Sequence, residues 1–295
     1  RPGGDKIISL IDWVQIGRFV AGLDQIASPS EFQRADCAPL VTKGNGAITV
    51  SDWVQAGRYA VGLDPLTAAG GPTSAAAGPI VAPPPESIRE LCVSEASILQ
   101  GQTSSLSVVL KAEGDENALG FSVVFDPGCL RFTGTSPGAA ASNAILNVNT
   151  NQLGTGRIGL ALALQPGHTL TRGPLELLKL SFLAVGVAPA STTISFGDQP
   201  LSRETSDVLA NSLDTTYCKG TVKLMLPQGP PLGFTKSGNT LLFSWPATNG
   251  YDLETTTGGL ESTWVPVTDV IVVGDQKIYP ATIGNGEKYF RLKKP

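Results

Sequence analysis

The residues best suited to chemistry are oxygen donors in two short runs. Lys43 to Asp52 reads K-G-N-G-A-I-T-V-S-D, which offers Asn45, the Ala47 carbonyl, the Thr49 hydroxyl and the Asp52 carboxylate. That order of donors suits a hard cation, calcium above all, because such ions draw about six to eight oxygens from one loop. Asp36 adds a carboxylate upstream, and the run G-G-D-K-I-I-S-L-I-D before it offers Asp5, Ser9 and Asp12. Catalysis finds no comparable constellation. The single histidine, His168, sits in the turn Q-P-G-H-T-L without a Cys or Ser partner, and Gly114-Asp115-Glu116 reads as an acidic hairpin tip. Glycine-rich phosphate loops lack the strand and helix they need. The expectation is a non-enzyme with no catalytic residues.

A duplicated stretch positions those donors. Asp12 to Asp24 reads DWVQIGRFVAGLD and Asp52 to Asp64 reads DWVQAGRYAVGLD, identical at nine of thirteen positions and 40 residues apart. At helical period Trp13, Ile16, Gly17, Val20 and Leu23 share one stripe, as do Trp53, Ala56, Gly57, Ala60 and Leu63. Those stripes predict buried faces, with Gly22 and Gly62 as left-handed helix stops. Each copy is thus a loop, a helix and a stop, and the loop has the Asn, Gly, apolar residue and terminal carboxylate of an EF-hand-type calcium loop.

Two such units resemble a type I dockerin, the small calcium-binding module that docks onto cohesin domains. The resemblance assigns Asp52 and Asn45 to ligand places, with Ala47 and Thr49 between them. At the usual loop length the first ligand place falls on Val41; Asp36 takes it if Cys37 to Val41 loop out. In the first copy Asp5, Ser9 and Asp12 match, and the first place falls on Arg1. The resemblance also implies a partner-binding face of Leu10, Ile11, Val14, Arg18 and Ala21, and in the duplicate Val50, Ser51, Val54, Arg58 and Val61. Small apolar residues around one Arg are what a docking helix offers.

Composition narrows the class. Charged residues are 16% of the 295, Gly and Pro number 34 and 22, and Met and His occur once each, which suits a turn-rich, β-rich extracellular or cell-surface protein. A net charge of −4 gives no basic patch for nucleic acid. No apolar run approaches the roughly 20 residues of a membrane helix. Four cysteines, Cys37, Cys92, Cys129 and Cys218, allow three complete disulfide pairings. Cys92 and Cys218 bracket the central domain, where first and last strands often meet, while Cys129 competes for either and Cys37 is placed to pair across domains or chains.

Four segments follow: 1–64, the duplicated module; 65–87, a Pro/Gly/Ala linker; 88–226, a strand-rich domain; and 231–295, a small β module. In 88–226, S-I-L-Q-G-Q-T, then A-L-G-F-S-V-V-F-D-P-G-C-L-R-F, then L-L-K-L-S-F-L-A-V-G resemble a cohesin domain, which implies a jelly-roll β-sandwich. In 231–295, T-L-L-F-S-W-P and Y-F-R-L-K resemble immunoglobulin-like modules at the C-terminus of secreted bacterial proteins. The fold class expected is multidomain and mainly β, with a small EF-hand-like helical module. Trp245 and Trp264 serve either as core residues of the small module or as a glycan platform. Together the resemblances imply a protein that self-associates head to tail, as a closed chain or a filament. The alternative is a non-catalytic accessory region of a secreted enzyme or adhesin that binds polysaccharide or another cohesin-bearing protein.

Overall fold

A computed structural model describes residues 8–76, 89–227, 229–258 and 261–294. The chain divides into two compact units, Arg1–Leu226 and Pro227–Pro295.

In the first unit the duplicated stretches form α1 (Leu10–Val20) and α3 (Val50–Ala60), with α2 (Pro29–Ala35) between them. Asp12 and Asp52 stand at the third position of their helices and accept the N–H of Ser9 and Thr49, a reciprocal cap that satisfies donors otherwise left bare at a helix start. Each helix ends in the same network. Gln15 and Arg18 donate to Asp24, and Gln55 and Arg58 donate to Asp64, which explains why both repeats keep Q-x-x-R and a distal Asp.

α1 and α3 pack through reciprocal close contacts, their tryptophan rings 6.1 Å apart at 35°. The indole of Trp53 lies over Gly17 and that of Trp13 over Gly57, where any Cβ would collide with the ring. Residues after Asp64 return to this module: Thr67 meets the Tyr59 hydroxyl, Gln33 donates to the Gly71 carbonyl, and Ala76 N donates to the Gly46 carbonyl. The helical module therefore extends past residue 64, and of the expected linker only 77–87 lies outside the described residues.

The central strands are β1 (Glu90–Val93), β2 (Ala96–Leu99), β3 (Thr103–Ala112), β4 (Glu116–Val124), β5 (Leu130–Pro137), β6 (Ile145–Asn149), β7 (Arg157–Ala163), β8 (Gly173–Ala184), β9 (Ala190–Gly197), β10 (Glu204–Asp207), β11 (Ser212–Leu213), β12 (Thr216–Cys218) and β13 (Gly220–Met225). One sheet runs β12-β1-β3-β8-β5. The other runs β11-β10-β4-β9-β13-β2, with β7 beside β4 and β6 beside β7. Leu, Val, Ile and Phe side chains from both inner faces fill the space between.

Residues 90–99 form two strands because the chain crosses between sheets at Ser94-Glu95. The last strands make the same crossing alongside, so β1 pairs in parallel with β12 and β2 with β13. Cys92 faces Cys218 in that register and forms the disulfide, with Cα atoms 4.6 Å apart. Cys37 and Cys129 are free thiols.

Just ahead of β1, Arg89 is buried against fully buried Glu116 (2.6 Å) and bonds Asp115 and the Asp214 carbonyl. Burial pushes Glu116 up, but hydrogen bonds from Glu113 N, Arg89 and Gly114 N outweigh it and hold the carboxyl below its ordinary 4.5. A depressed carboxyl contributes stability above its unfolded pKa and loses it as pH falls through the folded one. Glu116→Gln is therefore expected to lower stability at neutral pH and to flatten the fall below about pH 4.5, measured by urea unfolding across pH.

The second unit contains β14 (Gly233–Ser237), β15 (Thr240–Pro246), β16 (Asp252–Thr256), β17 (Val265–Pro266), β18 (Ile271–Val273), β19 (Gln276–Thr282) and β20 (Tyr289–Lys293). They form sheets ordered β14-β15-β19-β18 and β17-β16-β20, around Phe243, Trp245, Leu253 and Ala281. Trp245 is a core residue whose indole N–H donates to the Tyr251 carbonyl at 3.0 Å. The Trp264 ring carries the Arg291 guanidinium 4.2 Å from its centroid.

Candidate docking site

β4 explains where the helices go. Glu116 through Val123 are buried on both faces of the strand. Leu119, Phe121 and Val123 point into the sandwich, while Ala118, Gly120 and Ser122 occupy the outer face. β7 repeats the arrangement, with Ile158, Leu160 and Leu162 inward and Gly159, Ala161 and Ala163 outward. A sheet face built only from small residues lets another backbone approach closely, and α3 fills it.

Val50 and Val54 join Ala118, Ala161 and Ala163 in one apolar cluster with Trp13, Trp53, Leu201 and Ala210. A Cβ on Gly120 would stand 2.9 Å from Val50 Cγ1. Polar contacts ring this cluster. Ser51 Oγ donates to Glu204 Oε1 (2.8 Å), and Arg58 reaches the Val208 carbonyl (2.6 Å). Buried Asn149 donates its amide to the Ala21 carbonyl at 2.8 Å, closing the C-terminal end of α1 from the sandwich side. Among the described residues, the buried side-chain atoms Glu204 Oε2 and Trp53 Nε1 have no hydrogen-bond partner.

The two helix copies are used differently. Of the expected partner-binding residues, Val50, Ser51, Val54, Arg58 and Ala21 meet the sandwich. Leu10, Ile11, Val14 and Val61 are exposed, Leu10 at 53% against 1% for its repeat counterpart Val50. Arg18 pairs with Asp24 and keeps 43% of its side chain exposed, whereas Arg58 in the same pairing keeps 13%. The pairing holds Asp24 down to about 2, chiefly through the hydrogen bond from Arg18.

The expected calcium ligands are placed as follows. Asp5 lies outside the described residues, and Ser9 and Asp12 are committed to the cap of α1. Asp36 is buried and accepts Asn45 N (2.9 Å) and Gly46 N (2.7 Å). Asn45 Oδ1 accepts Ala47 N. Asp52 Oδ1 accepts Cys37 N (2.6 Å) and Ala38 N (2.8 Å), while Oδ2 accepts Thr49 N (2.8 Å). Burial pushes Asp52 up to about 8 against the pull of those N–H groups. The donors thus face amides, and the set does not fit a calcium cage, whose oxygens must converge on one point. Among the described residues the one close trio of metal-ligating types is Glu90, Cys92 and Cys218, whose cysteines are spent on the disulfide.

The small-residue face was signalled by A-L-G-F-S-V-V and I-G-L-A-L-A, in which large and small apolar residues alternate. A strand apolar on both sides is covered on both sides. The polar members come from two strands, Asn149 from β6 and Glu204 with Ser206 from β10, and carry no local pattern.

Fold and site together define a mainly β protein whose sandwich holds a duplicated helical module on one sheet face. No family model matches the chain, and no curated protein matches it. Among solved structures it is similar to a non-cellulosomal cohesin from the archaeon Archaeoglobus fulgidus, at 14% identity over 46% of this chain and 91% of that one, with a TM-score of 0.40. It is similar also to the sixth cohesin of scaffoldin B from Acetivibrio cellulolyticus, solved with a dockerin, at 14% identity over 46% and 98%, TM-score 0.41. A third is a type I cohesin–dockerin complex from Clostridium thermocellum, at 16% identity over 46% and 99%, TM-score 0.40.

Proposed function

We propose that this is an extracellular, non-catalytic assembly protein in which the helical module is a plug and the outer face of β4 and β7 its socket, and that exchange of the plug between chains links copies head to tail. The observation that carries the reading is α3 seated on that face, with Val50 against Gly120 and Ser51 against Glu204. The dockerin-like repeat ahead of a cohesin-like sequence supports it, and the Cys92–Cys218 disulfide suits an oxidising compartment. Seated within one chain, the plug keeps the socket covered; seated in a neighbour's socket, it makes a contact that need not close into a ring. The same socket would also accept the plug of another cohesin- or dockerin-bearing protein.

A protease site placed in the 77–87 segment tests the core of this reading. After cleavage the helical module is expected to remain bound to the sandwich through gel filtration, and to pass to a tagged second sandwich on mixing. A module that elutes alone at concentrations on the order of micromolar would remove the plug-and-socket reading. Sedimentation of the uncut chain against concentration then separates closed monomer from chains of copies.

A further inference from the structure

We propose that the loop from Asp36 to Asp52 is closed by its own carboxylates in place of calcium, so the plug stays formed and seated whether or not calcium is present. In a loop of this kind the last carboxylate turns both oxygens toward the ion. Here Asp52 Oδ1 is held by two backbone N–H groups, Cys37 and Ala38, and Oδ2 by a third, Thr49. Cys37 and Ala38 open the stretch that separates Asp36 from the rest of the loop. Their amides stand where Oδ1 would need a cation, and an N–H presents positive charge. The hollow is thus lined with donors, and the acceptor it holds is the Asp52 carboxyl group.

Asp36 closes the other side in the same way, with one oxygen on Asn45 N and one on Gly46 N. The backbone is drawn tightly around it: a Cβ on Gly44 would stand 2.6 Å from Asp36 Cγ. Asn45 turns its own oxygen to Ala47 N at 2.9 Å. Two buried carboxyl groups whose oxygens each accept at least one amide meet the demand that buried polar groups be hydrogen-bonded, with no ion required. The functional consequence is that docking is constitutive and not gated by calcium.

The closure of the loop stands on these contacts alone, while its consequence for docking rests on the plug-and-socket reading, so the test below and the cleavage test above fail separately. The intact chain, stripped with EDTA, is melted and titrated with calcium chloride. The midpoint in millimolar calcium is expected to stay within about 1 °C of that in EDTA, with no heat of binding. A larger calcium-dependent rise overturns the proposal; an ion at about 100 times its Kd would give roughly 5 °C or more. Asp52→Asn supplies the second measurement, because it turns one acceptor into a donor facing the Cys37 and Ala38 amides. It is expected to lower the midpoint equally in EDTA and in calcium. A loss seen only in calcium would mean that Asp52 serves an ion after all.

Discussion

Trp53→Ala is expected to destabilise the first unit by about 3–5 kcal/mol, the range for emptying a buried aromatic site. Trp53 is fully buried between Gly17 of α1 and the cluster that α3 shares with the sandwich, so one deletion loosens both the helix pair and its seat. A milder substitution at the same position gives the control. Trp53→Phe keeps most of the ring while removing an indole N–H that has no partner in the core, and relief of that buried donor offsets part of the lost area. The phenylalanine variant should therefore lose less than half of what the alanine variant loses. Urea unfolding followed by circular dichroism measures both; a loss below about 1 kcal/mol for Trp53→Ala would show that the helices do not depend on this ring.

Val50→Asp should undock the helical module without unfolding the sandwich. Val50 is buried against the outer face of β4, and a carboxylate there would be pressed against the small apolar residues of that face and Gly120. An unpaired buried charge costs about 3 kcal/mol or more, enough to make release from the sheet the cheaper state. The core between the two sheets is a separate cluster and should hold. Hydrogen exchange is expected to rise across α3 and on Asn149, Glu204 and Ser206, while β3 and β8 keep their protection. Gly120→Leu attacks the same contact from the sandwich side and should give the same exchange pattern, its added bulk meeting Val50 Cγ1 at once. Unchanged protection of α3 in both variants would sink the docking site.

Much of this architecture was readable in the residues. The repeat located α1 and α3 because a nine-in-thirteen identity with tryptophan at the same helical position leaves few other readings, and alternation located most strands of the sandwich. Cys92 and Cys218 stand at the edges of the domain, but Cys129 competed for either in the sequence, and the register of β1 with β12 decides the pairing. α2 was missed although Ser28, Pro29 and Glu31 are a helix start, since seven residues give no periodic stripe. β10 to β12 were missed because Glu204 to Cys218 is polar and short-stranded, and its order comes from pairing with β4 and β1. Residues 67–76 read as linker for want of aromatics, yet they are tied down by backbone groups, which composition does not record. The oxygen donors of the loop were found but not their use. A carboxylate that binds an ion and one that binds amides look alike in a sequence, and the difference lies in where Cys37 and Ala38 place their N–H groups.

The side-by-side first and last strands have a mechanical consequence. A pull applied to the polypeptide on either side of the sandwich enters at β1 and leaves at the far end of β13, and the Cys92–Cys218 bond ties the first of these strands to the residues just ahead of the second. Load between those two ends crosses the bond and bypasses residues 93–217, so it falls on β13, which is held to β9 and β2, and reaches the strands between only once the sulfur link is reduced.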